Sequence, residues 1–281
     1  MRLISSNLLE KHLRQALIQA AYTLDPSVHN ALCAAQQVET NYVARDMLKA
    51  LCDNALIASK EHIPLCQDTG SVVFFVEIGK QVSLAPASLK DLLTDTVASV
   101  WKEAYLRASI CSDPLFDRQN TLDNTPVIIH SEEVPGDRLI INFALKGGGA
   151  ENMSVLKMLS PSATADDIVE VVVNSVIRAG GNPCPPLILG LGIGGNFETS
   201  AIMAKKALFL PWDYRYPDER YEALAKRITA EVNASGVGVQ GMGGITTVLQ
   251  TRIISAPCHI ASLPLAINFQ CHAHRHGRVE I

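Results

Sequence analysis

The chain has 281 residues, 48% of them hydrophobic and only 19% charged, enough length and apolar content to bury a sizeable core. A net charge of −4 and a pI near 6.1 give no electrostatic reason to expect nucleic acid or an anionic membrane as partner. Aromatics at 5% argue against stacking platforms for single strands, and no run approaches the ~18 consecutive apolar residues of a membrane span.

The N-terminal stretch "MRLISSNLLEKHLRQALIQAAY" carries charges throughout and has no apolar core ending in a cleavage site, so it reads as the amphipathic helix of a cytoplasmic protein. Apolar spacing predicts helices over 6–22, 40–60, 86–104, 164–179, 197–209 and 218–235. Runs rich in β-branched residues predict strands over 71–78, 126–132, 138–145, 186–193, 245–254 and 263–269. With no internal repeat and no low-complexity linker, the expectation is one mixed α/β (α+β) domain over 1–281. Small mixed sheets would be covered by helices, and a helical part over 1–60 would pack on 61–281.

Five loops are rich in Gly, Pro, Asn or Cys: "PLCQDTG", "DPLFDRQNTLDNTP", "KGGGAENMS", "GGNPCPP" and "GVGVQGMGG". Polar loops on a rigid scaffold are where sites are usually built. "GLGIGG" (190–195) matches G-x-G-x-x-G, but the element after its helix reads as another helix and not as a second parallel strand. A tight turn with close backbone packing is the reading there. "KGGGAEN" offers consecutive backbone N–H groups to an anion but lacks a P-loop ending, so a carboxylate fits better than a triphosphate. In "CHAHRH", alternation would set His272, His274 and His276 on one side of an extended segment, and a solvated tail is the reading preferred over zinc.

The seven cysteines are scattered singly, which suits thiols or metal ligands in a reducing compartment. Cys33 and Cys52 fall in helical patterns and read as small buried hydrophobes, while Cys111 and Cys258 are ambiguous. Cys66, Cys184 and Cys271 lie in polar loops, 118 and 87 residues apart, so no C-x-x-C clip exists. Three such thiolates could cap one iron–sulfur cluster. Alternatively, Cys66 could be a nucleophile with His259 or His272 as base. Spacing does not rank the two.

Six motifs in order, "PLCQDTG", "DPLFDRQNT-x-DNTP", "KGGGAENMS-x-LKML", "NPCPP-x-x-x-G-x-GIGGNFE", "G-x-G-x-QG-x-GG-x-TT" and "PCHIASLP-x-A-x-N-x-QC-x-A-x-R", resemble the α subunit of class I fumarate hydratases and the related L-tartrate dehydratases, from about residue 40 onward. The resemblance implies a [4Fe–4S] cluster on Cys66, Cys184 and Cys271, with one open iron acting as Lewis acid. It implies substrate contact at Gln67 and Asp68, with Asp68 moving a proton or orienting the base. Arg107 would pair with a substrate carboxylate, Gly147, Gly148 and Gly149 would add N–H groups, and His259 would stand near the substrate hydroxyl or carboxylate. Turn chemistry in "QDTG" is the rival role for Asp68.

In many relatives the arginine segment reads L-R-x-N-A-V; here it is "LRASICSDP", with Ser109 at or near the asparagine position. The chain stops at Ile281, where single-chain relatives continue into a second domain. The resemblance therefore implies a separate β subunit completing the active site, and a dimer of αβ pairs (a heterotetramer). The glycine loop and "DPLFDRQNT" favour fumarate and malate, as in the tricarboxylic acid cycle, over tartrate. A cluster-binding α-like protein without hydratase activity is the alternative of another class.

Overall fold

The computed structural model describes all 281 residues. In chain order the elements are β1 (Arg2–Ser5), α1 (Ser6–Tyr22), α2 (Pro26–Val38), α3 (Tyr42–Glu61), β2 (Ser71–Gly79), β3 (Val82–Ala85), α4 (Leu89–Glu103), β4 (Ile128–Val134), β5 (Leu139–Lys146), α5 (Gly148–Glu151), β6 (Val155–Leu159), α6 (Ala165–Ala179), β7 (Leu187–Gly195), α7 (Phe197–Ala207), α8 (Glu219–Ala234), β8 (Val248–Cys258), β9 (Leu263–Gln270) and β10 (His276–Glu280). A short 3₁₀ turn covers Val239–Gly241. The fold is mixed α and β with small mixed sheets and covering helices. No helix is long and apolar enough to cross a membrane.

The chain forms two compact units. Unit 1 comprises Met1–Asp25, Ala55–Gly148 and Arg275–Ile281; unit 2 comprises Pro26–Asn54 and Gly149–His274. The first 60 residues are thus divided between the units, and α3 runs across their boundary.

Unit 1 is built on a four-stranded sheet of order β10-β5-β2-β4, in which β2 pairs parallel with β4 and antiparallel with β5. A parallel β1-β3 pair forms a second, small sheet. The reason α1 is a helix is plain in its sequence: Leu9, Leu13, Leu17 and Ala21 recur every fourth residue and are all buried. That stripe joins Leu93, Val97 and Trp101 of α4 and Phe74 and Phe143 of the sheet in one core. A fully buried leucine of this kind stabilises by about 1.5–3 kcal/mol. The Ser88 side chain caps α4 by accepting the Asp91 N–H.

Unit 2 carries the sheet β6-β9-β7-β8, with β7 parallel to β8 and antiparallel to β9. The alternation of β7 divides its two faces. Leu187, Leu189, Leu191 and Ile193 enter the core shared with α6 and α8. Gly190 and Gly192 point the other way, where a Cβ would lie 2.1 Å from the Ala204 carbonyl oxygen and 2.0 Å from that of Ser200. These glycines let α7 lie directly on the strand. "GLGIGG" is therefore strand interior and not a turn, and the capping box of Asn196 with Thr199 starts the helix after it.

Also in unit 2, α2 and α3 are joined through Glu39, which is buried. Its carboxylate accepts the N–H groups of Thr40 and Asn41, each at 2.9 Å, and of Ile245 at 2.9 Å. Asn41 then caps α3 by accepting from Val43 and Ala44. Sequence spacing located every long helix except α2, and it missed the short strands β1, β3, β6 and β10.

Candidate functional site

Within unit 1 the CQDTG loop is clamped from several directions. Leu65 is buried and its N–H reaches the Ala21 carbonyl at 2.9 Å. Thr69, also buried, receives the Trp101 indole N–H at 3.1 Å and donates its hydroxyl to the Arg107 carbonyl at 2.5 Å. That bond brings Arg107 beside the loop. Its guanidinium is exposed and makes no hydrogen bond or ion pair, so its donors remain available for a ligand.

Asp68 is bound at both carboxylate oxygens. One accepts the Gly70 N–H at 3.1 Å and the other the Gly148 N–H at 2.7 Å. One donor of the glycine loop is therefore spent on the protein's own carboxylate. Gly147 is pressed close by: a Cβ there would lie 3.2 Å from Asp68 Oδ2 and 3.5 Å from Arg275 Nη2. Gln67 is exposed, and its Oε1 lies 3.5 Å from the Cys66 thiol that donates to it.

Two residues of this cluster sat inside the quoted motifs without an assigned role. Arg275 is 2% exposed and donates to the Asp68 carbonyl at 2.6 Å, while its Nε–H has no partner. Asn124 is fully buried; it accepts the Ser109 N–H at 2.9 Å and donates to the Gly70 carbonyl at 3.0 Å. The segment after Arg107 is thereby tied to the CQDTG loop through Asn124. The positive φ of 62° at that position suits asparagine.

Unit 2 holds Cys184 and Cys271. The loop of Cys184 packs on "GVGVQGMGG" through Gln240, which donates its backbone N–H at 3.0 Å and its side-chain amide at 2.5 Å to the Pro185 carbonyl. His272 reaches the Cys184 carbonyl with its Nδ1 at 3.0 Å. This bond brings the segment of Cys271 against the loop of Cys184. The three histidines of "CHAHRH" do not gather as a donor group: His272 serves this contact, His274 is buried, and His276 opens β10. His259 is exposed after β8, where its Nδ1 accepts the Ala261 N–H at 3.1 Å. Gly149 opens unit 2, facing the Asn182 carbonyl.

The donor chemistry suits iron–sulfur binding. Cys66, Cys184 and Cys271 are each half-buried on loops, and none of the seven cysteines forms a disulfide. The thiols of Cys184 and Cys271 point back to carbonyls of their own loops, at 3.9 Å on Asn182 and 3.7 Å on Ala273. Loop thiols within reach of solvent are ready soft ligands. Cys52 behaves differently. Burial, with the hydrogen bond from Cys33 adding, pushes its thiol up to about 12.

The sequence matches the family model described as "Fumarate hydratase (Fumerase)" over residues 10–280. The chain belongs to the fumarate hydratase family. These are iron–sulfur hydro-lyases, and the match spans both units. The chain is 36% identical to the "Putative L(+)-tartrate dehydratase subunit alpha" of Methanocaldococcus jannaschii, over 92% of this chain and 92% of that protein. It is 30% identical to the L(+)-tartrate dehydratase subunit alpha of Escherichia coli UTI89, over 88% of this chain and 82% of the relative. The Escherichia coli K12 protein of the same name is also 30% identical, over 86% and 80%.

Proposed function

We propose that the chain is the α subunit of a hydro-lyase that holds a [4Fe–4S] cluster on Cys66, Cys184 and Cys271 and interconverts a four-carbon hydroxydicarboxylate with its dehydrated partner. The observation that carries this reading is the clamped CQDTG loop, with a thiol beside an exposed amide and the backbone of Arg107 bonded to it, in a chain of this family. When bound, the cluster supplies a Lewis-acidic iron with no protein ligand.

The chain's own residues then divide the remaining work. Arg107 offers a planar guanidinium for a substrate carboxylate. Gln67 adds an exposed amide next to the first ligand. Asp68, held at both oxygens, fits the orienting role better than free proton carriage. His259 offers Nε2, since Nδ1 already accepts a backbone N–H and leaves the proton on the other nitrogen. Relatives named as α subunits support a β partner, which would complete the site; a dimer of αβ pairs is the assembly that the motif resemblance implies.

Two substrate readings have support. The fumarate–malate pair rests on the family description and on the "KGGGAENMS" and "DPLFDRQNT" loops. L-tartrate rests on the names of the relatives. The two differ by one substrate hydroxyl, and a site built to bond a hydroxyl rejects the analogue lacking it by about 10⁴-fold.

The test is anaerobic reconstitution with iron and sulfide, followed by kcat/KM for fumarate, L-malate and L-tartrate in the presence of a β-type subunit. Full cluster uptake by Cys66→Ala, Cys184→Ala and Cys271→Ala alike would sink the ligand assignment. A loaded αβ complex inactive on all three substrates would favour the non-catalytic cluster-binding alternative.

A further inference from the structure

Away from the loops of the fumarase site, His29, Cys33 and Cys52 of unit 2 gather their side chains at one point. We propose that these three residues form a second metal site, for zinc or a cation of like softness, that staples α2 to α3. None of them stands at a cluster-ligand position, and the site is independent of the function proposed above.

The geometry begins with helical spacing. His29 and Cys33 are four residues apart on α2, so they lie one turn apart on the same face. Cys52 comes from α3, the other arm of the hairpin fastened by Glu39. One donor atom from each of the three lies within 4.8 Å of the other two. The two sulfurs are 3.1 Å apart, and the Cys33 sulfur is 3.8 and 3.9 Å from the two ring nitrogens of His29. The histidine ring has no other partner, so nothing in the protein competes for its lone pair.

Bond lengths decide whether an ion fits. With Zn–S of about 2.3 Å and Zn–N of about 2.0–2.1 Å, tetrahedral edges are roughly 3.8 Å between sulfurs and 3.6 Å between sulfur and nitrogen. The separation between Cys33 and His29 already matches, and the sulfur pair, at 3.1 Å, must open by about 0.7 Å to reach the tetrahedral edge. A simple disulfide pair would use two of the three residues and leave the imidazole beside them unengaged. The donor set, two thiolates and one imidazole, is a soft one that suits zinc over magnesium or calcium.

Binding balances as follows. The two thiols give up their protons to solvent, each sulfur donates a pair to the cation, and the neutral imidazole gives a third. The dication and two thiolates then carry no net charge. Cys52 is buried while His29 and Cys33 are half-buried, and a water can complete the tetrahedron.

The probe is cobalt(II), titrated into the full chain purified without metal and kept reduced. The expected result is one tight equivalent showing thiolate-to-cobalt charge transfer and the intense visible bands of a tetrahedral site. Those bands should vanish in Cys33→Ser and Cys52→Ser, weaken by about tenfold or more in affinity in His29→Ala, and persist in Cys66→Ala and Cys271→Ala. Zinc should raise the Tm of the wild type and leave that of Cys33→Ser unchanged, with circular dichroism confirming that both are folded. Bands that survive Cys33→Ser, or their absence from the reduced wild type, would overturn the site. So would a wild type that forms a Cys33–Cys52 disulfide in air and, once reduced, takes no cobalt.

Discussion

Oδ2 of Asp68 accepts the backbone N–H of Gly148 at 2.7 Å, and this bond ties the CQDTG loop to the glycine loop inside unit 1. Oδ1 is engaged as well, by Gly70 at 3.1 Å, and Arg275 holds the carbonyl of the same residue at 2.6 Å. A residue fixed at three points, two on its carboxylate and one on its backbone carbonyl, is an anchor for its neighbours Cys66 and Gln67. Any chemical role it has must be played from that fixed position.

Asp68→Asn keeps the shape but sets an amide N–H against one of two backbone donors. A donor left without an acceptor costs about 1–3 kcal/mol. The urea midpoint should fall accordingly, and cluster retention should fall with it. Unchanged stability combined with lost turnover would instead mark Asp68 as a proton carrier.

Asn124 joins the Ser109 N–H to the Gly70 carbonyl from a fully buried position. Asn124→Asp retains the acceptor but places a carboxylate oxygen against a carbonyl, and Asn124→Ala removes both partners. Both should destabilise, Ala by about 2 kcal/mol or more. If Arg107 binds a substrate carboxylate, KM in the reconstituted complex should rise more than kcat falls.

Gln240 stands at a φ of 54° and holds the Pro185 carbonyl with its side-chain amide at 2.5 Å. Gln240→Asn tolerates that backbone conformation but is one methylene too short to make the same bond. The expected outcome is a folded protein that loses iron faster than wild type on anaerobic gel filtration. Equal iron content after the column would show that this loop contact does not support the ligand.

The Thr125 backbone N–H holds the Asp123 carboxyl below the usual carboxylate range, helped by the Thr125 hydroxyl and opposed by partial burial. A folded pKa lowered in this way contributes stability above the unfolded value, near about 3.9, that is lost as pH falls through the folded value. Asp123→Asn should therefore cost stability at neutral pH, and its urea midpoint should converge on that of wild type in acid. A difference that stayed constant with pH would show that the Asp123 charge is not what holds the turn.

Local pattern made much of this protein legible. The stripe of Leu9, Leu13 and Leu17 and the run of Ile168, Val172 and Val176 announce helices because each buries one face at helical period. The short strands were not legible for a related reason. β1 has only four residues and is a strand because it pairs with β3, some eighty residues along the chain. β10 is likewise defined by β5. "GLGIGG" misled because its glycines answer to the backbone of α7, which the motif itself does not contain.

The sequence by itself determined most of the long elements, the family and the candidate thiols, because these follow from composition, period and motif read along the chain. Only the tertiary structure decided what holds the loops: Arg275 beneath Asp68, Asn124 between Ser109 and Gly70, Gln240 on Pro185. It also decided that Cys33 and Cys52, read as two separate hydrophobes, stand 3.1 Å apart beside an imidazole. The physical reason is common to all of them. A buried donor or acceptor takes its role from the partner it meets, and that partner is brought by the fold from a distant part of the chain.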